Sequence, residues 1–297
     1  MQTILIPTPK EFSFELCLSF LNRSPQEVLH RSDATSVTKV LMIEGKPVVF
    51  RVKGSDATQL VVEILNGSVS HDGERQLVDH VQDWFDLTTD LKPFYRMANG
   101  DELLKPLVKK YRGYRIVGQP DLFESLVWAV LGQQINLTFA YKLKGRFVGT
   151  FGERHDWEGK GHYVFPSPAA VSEINPQQLL ALQFSRQKAA YTIGIARAFV
   201  SGKISRTSLA PLPFEEAKSE LRKIHGVGNW TANYALMKTF RYPEAFPLED
   251  AGLHNAIKSQ LNLKSKPDLA RVKQIFRKYK GWEAYATLYL WKSLSGG

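Results

Sequence analysis

Two glycines, Gly226 and Gly228 in the stretch LRKIHGVGNWTANYALMKTFRYPEAFPLED at residues 221–250, constrain this chain more than any other feature. Leu221 and Ile224 supply the apolar face of one helix. The HGVG that follows allows a tight turn, because glycine adopts positive φ without steric cost and lets another backbone come close. A second helix is predicted to restart at about Asn229. Its first turn leaves the amides of Gly228, Trp230 and Thr231 without intrahelical partners at the positive end of the helix dipole, where a phosphate can sit. Such a grip is blind to base sequence. Taken alone, GVG describes an ordinary helix C-cap followed by an N-cap at least as well.

Pro243 and Pro247 stop the second helix, and Asp250 then precedes GLHNAIK, in which Leu253 and Ile257 have helical spacing. Asp250 is therefore predicted at a helix N-terminus. An Asp there is usually a structural N-cap, but the same position favours the ionised carboxylate, so a persistent anion beside a phosphate site is physically reasonable.

The chain has 297 residues, enough for a substantial core and for two or three domains. Lys and Arg number 39 against 29 Asp and Glu, a formal net charge of +10 that biases the surface toward polyanions. Net charge alone does not separate nucleic acid from an anionic membrane. No apolar run reaches the roughly 20 residues that span a bilayer, and MQTILIPTPKEF lacks the basic start and apolar core of a signal peptide. The expectation is a cytoplasmic protein, nucleoid-associated if bacterial, neither secreted nor membrane-bound. Cys17 is the only cysteine, which excludes an internal disulfide, a cysteine zinc cage and a four-cysteine iron–sulfur cluster.

The pattern along the chain is α+β. FSFELCLSFL at 12–21 fits a short helix, or a strand followed by a helix. VTKVLMI, VVFRV and QLVVEIL, separated by Gly-Lys-Pro and Gly-Ser-Asp turns, predict an antiparallel meander. Leu77, Val78, Val81, Trp84 and Phe85 then predict a helix over that sheet. This places an N-terminal α+β domain at 1–88. Residues 89–297 read as a mostly helical core in two lobes, one at about 120–205 and the other joining 89–119 to 206–297. Within the first lobe, two helical stripes are interrupted by the polar GQQIN at 132–136, which reads as a solvated helix junction, and 153–161 reads as a charged surface loop. A basic face on the helix near 269–279 is expected to be solvated.

The order of these features resembles the helix-hairpin-helix DNA glycosylases, most closely the 3-methyladenine DNA glycosylase II type. FESLVWAVLGQQIN at 123–136, FPSPAAVSEINPQQLLAL at 165–182, LRKIHGVGNWTANYAL at 221–236, FPLED at 246–250 and WEAYATLYLW at 282–291 carry the likeness, which covers nearly the whole chain.

The resemblance implies a monomeric hydrolase that flips an alkylated purine out of double-stranded DNA and cleaves its N-glycosidic bond, with Asp250 rather than its neighbour Glu249 as the catalytic carboxylate. It implies a base pocket of Trp230, Tyr234 and Trp282, with Phe20 in the same wall. Trp230 and Tyr234 lie one turn apart and share a helix face. Without the resemblance these are core aromatics. It places DNA contacts at Gly226, Gly228 and Thr231, and a wedge at Gln134, where some relatives carry leucine. The carbonyls of Arg222, Ile224 and Val227 would hold a monovalent cation, Na+ or K+; no other cofactor is implied. Relatives that also cut the strand use a lysine where this chain has Trp230, which implies monofunctional chemistry. Two rival readings remain: a non-catalytic DNA-binding protein, and a glycosylase for oxidised or deaminated bases.

Overall fold

The computed structural model describes residues 2–55 and 58–294. Strands β1 (Gln2–Pro7), β2 (His30–Ser32), β3 (Ser36–Ile43), β4 (Lys46–Gly54) and β5 (Gln59–Ile64) form an antiparallel sheet in the order β1-β5-β4-β3-β2. The last three are the predicted meander. The ambiguous FSFELCLSFL is a helix, Phe14–Leu21, capped by the Ser13 hydroxyl, which accepts from the Leu16 amide at 3.3 Å. Helix His71–Phe85 lies on the sheet and buries Leu77, Val81, Trp84 and Phe85.

Beyond the sheet the chain is helical, with one exception that the sequence did not announce. The segment expected as a charged loop folds as a β-hairpin, Glu153–Trp157 paired with Lys160–Val164. Its two-residue turn places Glu158 and Gly159 at φ 50° and 71°, which suits the twist of a tight hairpin. Charged side chains hid the strand pattern because this ribbon is only partly covered. It leans on β2 through Arg31, which donates to the Gly161 carbonyl at 3.1 and 3.2 Å.

The apolar core runs without a break past the expected boundary near residue 88. Asp86, fully buried, accepts from the Thr89 hydroxyl at 2.6 Å and from the Tyr285 hydroxyl of the last helix. A second polar tie joins the N-terminal part to helix Leu137–Phe151: the Lys144 ammonium donates to both oxygens of Glu27 at 2.9 and 3.0 Å, with Glu124 3.8 Å away. These two side chains are 5 % and 8 % exposed. Burial, the largest single effect, opposes ionisation of Glu27, but the Lys144 charge, His30 and the Leu29 amide together outweigh it and hold the carboxyl at about 2. No helix among the described residues is long and apolar enough to cross a membrane.

A carboxyl held below its ordinary value of 4.5 contributes stability that is complete above that pH and lost as the pH falls toward 2. Replacing Lys144 by Met leaves buried charge uncompensated and is expected to cost about 3–5 kcal/mol at neutral pH in denaturant unfolding. The penalty should shrink toward pH 4, because Glu27 without its partner takes up a proton there. An equal penalty at both pH values would show that the ion pair is not its source.

Candidate active site

A cleft of about 1040 Å³ separates the two helical halves of the core. One wall is helix Leu122–Gly132, the junction after it, and helix Leu137–Phe151; the other is helix Asn229–Ala235, Asp250 and helix Glu283–Ser293. Phe20 and Arg23, from the end of helix Phe14–Leu21, close it from the N-terminal side.

Asp250 is the N-cap of helix Ala251–Gln260, as its sequence position predicts, and it is more than a cap. Oδ1 accepts from the Leu253 amide at 2.8 Å and from Trp291 Nε1 at 2.8 Å, while Oδ2 accepts from Trp230 Nε1 at 3.1 Å. Three N–H donors from three helices therefore hold one half-buried carboxylate in a fixed orientation. Gly252 makes room for it: a Cβ there would lie 3.0 Å from Oδ1 and 3.4 Å from the Trp291 indole nitrogen. The loop before Asp250 is fastened too, with the Phe246 amide on Asn233 Oδ1 at 2.8 Å and His254 Nε2 on the Leu248 carbonyl at 2.8 Å. Both acids line the cleft, but Glu249 is exposed and accepts only from Asn229 at 2.8 Å, whereas Asp250 is the one held by the two indoles.

Trp230 and Tyr234 stack with centroids 5.3 Å apart at 24°, giving the cleft a flat aromatic wall. Tyr234 accepts from Trp128 Nε1 at 2.9 Å, and burial pushes its hydroxyl up to about 12, so it stays neutral. Phe20 lines the cleft as expected from the resemblance, but its ring is already engaged: the Arg23 guanidinium lies 3.8 Å from its centroid and Lys238 Nζ 4.5 Å. Arg23 also donates to the Tyr141 hydroxyl at 2.6 Å. Lys238 is buried in a π-helical turn, Leu236–Phe240, where it donates to the Val117 carbonyl, and burial pushes it well below the usual lysine range.

Trp282 is not in the cleft. It packs on Phe94 at 5.8 Å and on Tyr285, at the start of the last helix. The tryptophan that reaches the site is Trp291, nine residues on. That spacing is about two and a half helical turns, so the two indoles face opposite sides and only one can meet Asp250.

The hairpin forms where expected, between helix Phe214–Arg222 and helix Asn229–Ala235. Of its two glycines only Gly226 has positive φ, 92°, and a Cβ there would meet the Tyr191 ring at 2.2 Å. Gly228 is extended, with φ −80° and ψ −177°, and open space where a Cβ would be; its part is to leave the N-terminus of the helix accessible. Thr231 is 1 % exposed and its hydroxyl accepts from Gln133 at 2.9 Å. Its side chain therefore joins hairpin to junction rather than facing solvent. Gln134 stands exposed at the cleft rim with φ 56°, a left-handed conformation uncommon for a side-chain-bearing residue. At the turn, the Ile224 carbonyl already accepts from the Val227 amide at 3.0 Å, which leaves it a second lone pair. Among the described residues no group of three or more His, Cys, Asp or Glu could hold a metal ion.

Fold and site together define a helix-hairpin-helix protein with a rigid carboxylate at the wall of an aromatic cleft. The chain belongs to the HhH-GPD superfamily of base excision DNA repair proteins, whose family model matches residues 127–281, and residues 5–126 match the N-terminal domain of 8-oxoguanine DNA glycosylase. A DNA-3-methyladenine glycosylase of Bacillus subtilis is 41 % identical over 98 % of this chain and 97 % of its own. The 3-methyladenine DNA-glycosylase of Archaeoglobus fulgidus shares the fold with a TM-score of 0.84 at 23 % identity, over 100 % of this chain and 99 % of that one. The 3-methyladenine DNA glycosylase Mag1 of Schizosaccharomyces pombe, solved in complex with abasic DNA, matches with a TM-score of 0.60 at 25 % identity, over 69 % of this chain and 97 % of its own.

The indole hydrogen bond from Trp291 can be tested apart from its bulk. Trp291→Phe keeps a ring but removes a donor to a charged acceptor, which is worth about 1.5–3 kcal/mol. Base excision should fall roughly 10- to 100-fold with the melting temperature moved by only a few degrees; unchanged excision would show that the bond does not serve Asp250.

Proposed function

We propose that this protein is a monofunctional DNA glycosylase that removes alkylated purines of the 3-methyladenine and 7-methylguanine class from double-stranded DNA in base excision repair. The observation that carries the reading is Asp250, fixed by Trp230, Trp291 and the Leu253 amide at the edge of the aromatic cleft. The 41 % identical relative over nearly the full chain supports the substrate class.

The chemistry follows from the geometry. A damaged nucleotide turned out of the helix enters the cleft and lies against Trp230 and Tyr234. As the N-glycosidic bond breaks, its electron pair leaves with the base and positive charge develops at C1′. The Asp250 carboxylate stabilises that charge and orients a water whose oxygen bonds to C1′, the proton passing to the carboxylate or to solvent. Free base and an abasic site result. A purine already cationic through alkylation leaves readily and is attracted to electron-rich rings. The hairpin amides hold a backbone phosphate, and Gln134 fills the gap in the stack and reaches the orphaned base. Every side chain in this account belongs to one chain, so a monomer suffices, and its place is in the cytoplasm with the chromosomal DNA. The neutral carbonyls of Arg222, Ile224 and Val227 suit a monovalent cation better than a divalent one, and such an ion would brace the turn against the phosphate.

Purified protein incubated with methylated DNA should release 3-methyladenine or 7-methylguanine; release of neither refutes the reading. Asp250→Asn should lower release by orders of magnitude while binding to abasic-site DNA survives, whereas loss of both together removes Asp250 from the catalytic role. Borohydride should trap no covalent complex on lesion DNA, since Trp230 offers no amine for a Schiff base. Replacing K+ and Na+ by a bulky organic cation at constant ionic strength should weaken DNA binding, and equal affinity in all three would dismiss the hairpin ion.

A further inference from the structure

Lys188 lies outside the cleft and the chemistry above does not use it, yet its ammonium is spent entirely on the loop that carries Gln134. It sits in the first turn of helix Arg186–Val200, 8 % exposed. Nζ donates to the carbonyls of Val130 at 2.7 Å, Leu131 at 2.9 Å and Gln133 at 2.7 Å. An ammonium has three protons, and all three are used. Two of the acceptors, Val130 and Leu131, are carbonyls of the last turn of helix Leu122–Gly132, where the helix dipole is negative, and the third belongs to its C-cap Gln133, whose own amide donates to the Val130 carbonyl at 3.3 Å. No carboxylate pairs with this lysine among the described residues.

The next residue is the strained one. Gln134 is left-handed at φ 56°, and such a conformation persists only where its surroundings over-determine it. The residue before it is clamped twice: the Gln133 carbonyl by Lys188, and its side-chain amide by Thr231 Oγ1 at 2.9 Å and the Gly226 carbonyl at 3.3 Å. One turn along the same helix, the Tyr191 ring fills the space beside Gly226 and meets His225 edge-on at 4.9 Å. A single helix therefore braces both the hairpin and the wedge loop.

We propose that Lys188 is a positioning residue for base extrusion, holding the Gln133–Gln134 junction in the left-handed conformation that projects Gln134 into the DNA stack and fixing its distance from the phosphate-binding hairpin. The inference rests on the glycosylase reading. Burial of the ammonium pushes it down to about 8, the cost of keeping a charge under the loop. A neutral amine has two protons for three carbonyls and turns a lone pair toward the third. A flexible or uncharged side chain here leaves the catalytic carboxylate and aromatic wall intact, since Asp250, Trp230 and Trp291 make no contact through Lys188.

The test compares Lys188→Met and Lys188→Gln with wild type under single-turnover conditions on two substrates. In one, 7-methylguanine is paired in a duplex; in the other it lies in a short mismatched bubble, where neither pairing nor full stacking has to be broken. Both variants are first checked for a cooperative unfolding transition, and Lys188→Gln, which keeps two N–H donors, serves if the Met variant does not fold. The expected result is at least a tenfold loss of excision on the paired lesion with less than threefold loss in the bubble, and Lys188→Gln between Met and wild type. Equal losses on both substrates assign Lys188 a general structural role and overturn the proposal, as does no loss on either. Failure of wild type to excise from either substrate instead strikes the glycosylase reading.

Discussion

The arrangement depends on one carboxylate being held in place by donors that come from far apart in the chain. Asp250 receives N–H groups from its own helix, from the hairpin helix twenty residues earlier and from the last helix forty-one residues later. Each bond to a charged acceptor is worth about 1.5–3 kcal/mol, and the three converge on a group that would otherwise pay to leave water. The contacts are reciprocal in their effect. Asp250 fixes the two indoles as much as they fix it, so the aromatic wall and this carboxylate are one unit. Closing that unit requires the hairpin, the Pro247 loop and the last helix to meet, which explains why Gly252 has no side chain and why Asn233 and His254 staple the backbone between them.

The N-terminal part takes a direct share in the site. Its first helix supplies Phe20 and the turn after it Arg23 to the cleft, and Glu27, in the connection to β2, pairs with Lys144 of helix Leu137–Phe151. Its contribution differs from that of Trp230 and Tyr234. The face of Phe20 is covered by the Arg23 guanidinium, so it already has a cation of its own. A cationic purine gains about 0.5–2 kcal/mol over a free aromatic face, and much less over one already occupied. On the proposed reading, selection for positive charge would rest on the hairpin helix, with Phe20 limiting the size of the pocket.

Much of this was legible in the sequence, for identifiable reasons. The meander, the hairpin and the N-cap position of Asp250 are local: turn residues, periodicity and helix breakers within a few residues specify each one. The misplaced tryptophan is of another kind. Trp282 and Trp291 lie on one short helix, and which of them faces Asp250 depends on the rotation of that helix about its axis, set by Tyr285 on Asp86 and Tyr289 on Tyr95, contacts nearly two hundred residues away. Trp128, Arg23 and Tyr141 were passed over because an aromatic or a basic residue in an apolar helix looks like core or solvated surface until its partner is known. The Gln133–Thr231 hydroxyl contact was hidden in the same way, because its two partners lie nearly a hundred residues apart.

Two demands meet in this molecule. In the proposed chemistry the carboxylate side must be stiff, because stabilising charge at C1′ depends on an anion that does not move away. On the other wall, Gln134 stands exposed in an unfavourable backbone conformation, which an isolated loop would relax. Each side is braced by a different means: three N–H groups around one anion at Asp250, three carbonyls around one cation at Lys188. The Gln133 amide, bonded to both Thr231 and Gly226, is where the two braces touch. Through that joint, the distance between Gln134 and Asp250 is set by side chains that, in the proposed chemistry, need never contact the damaged base.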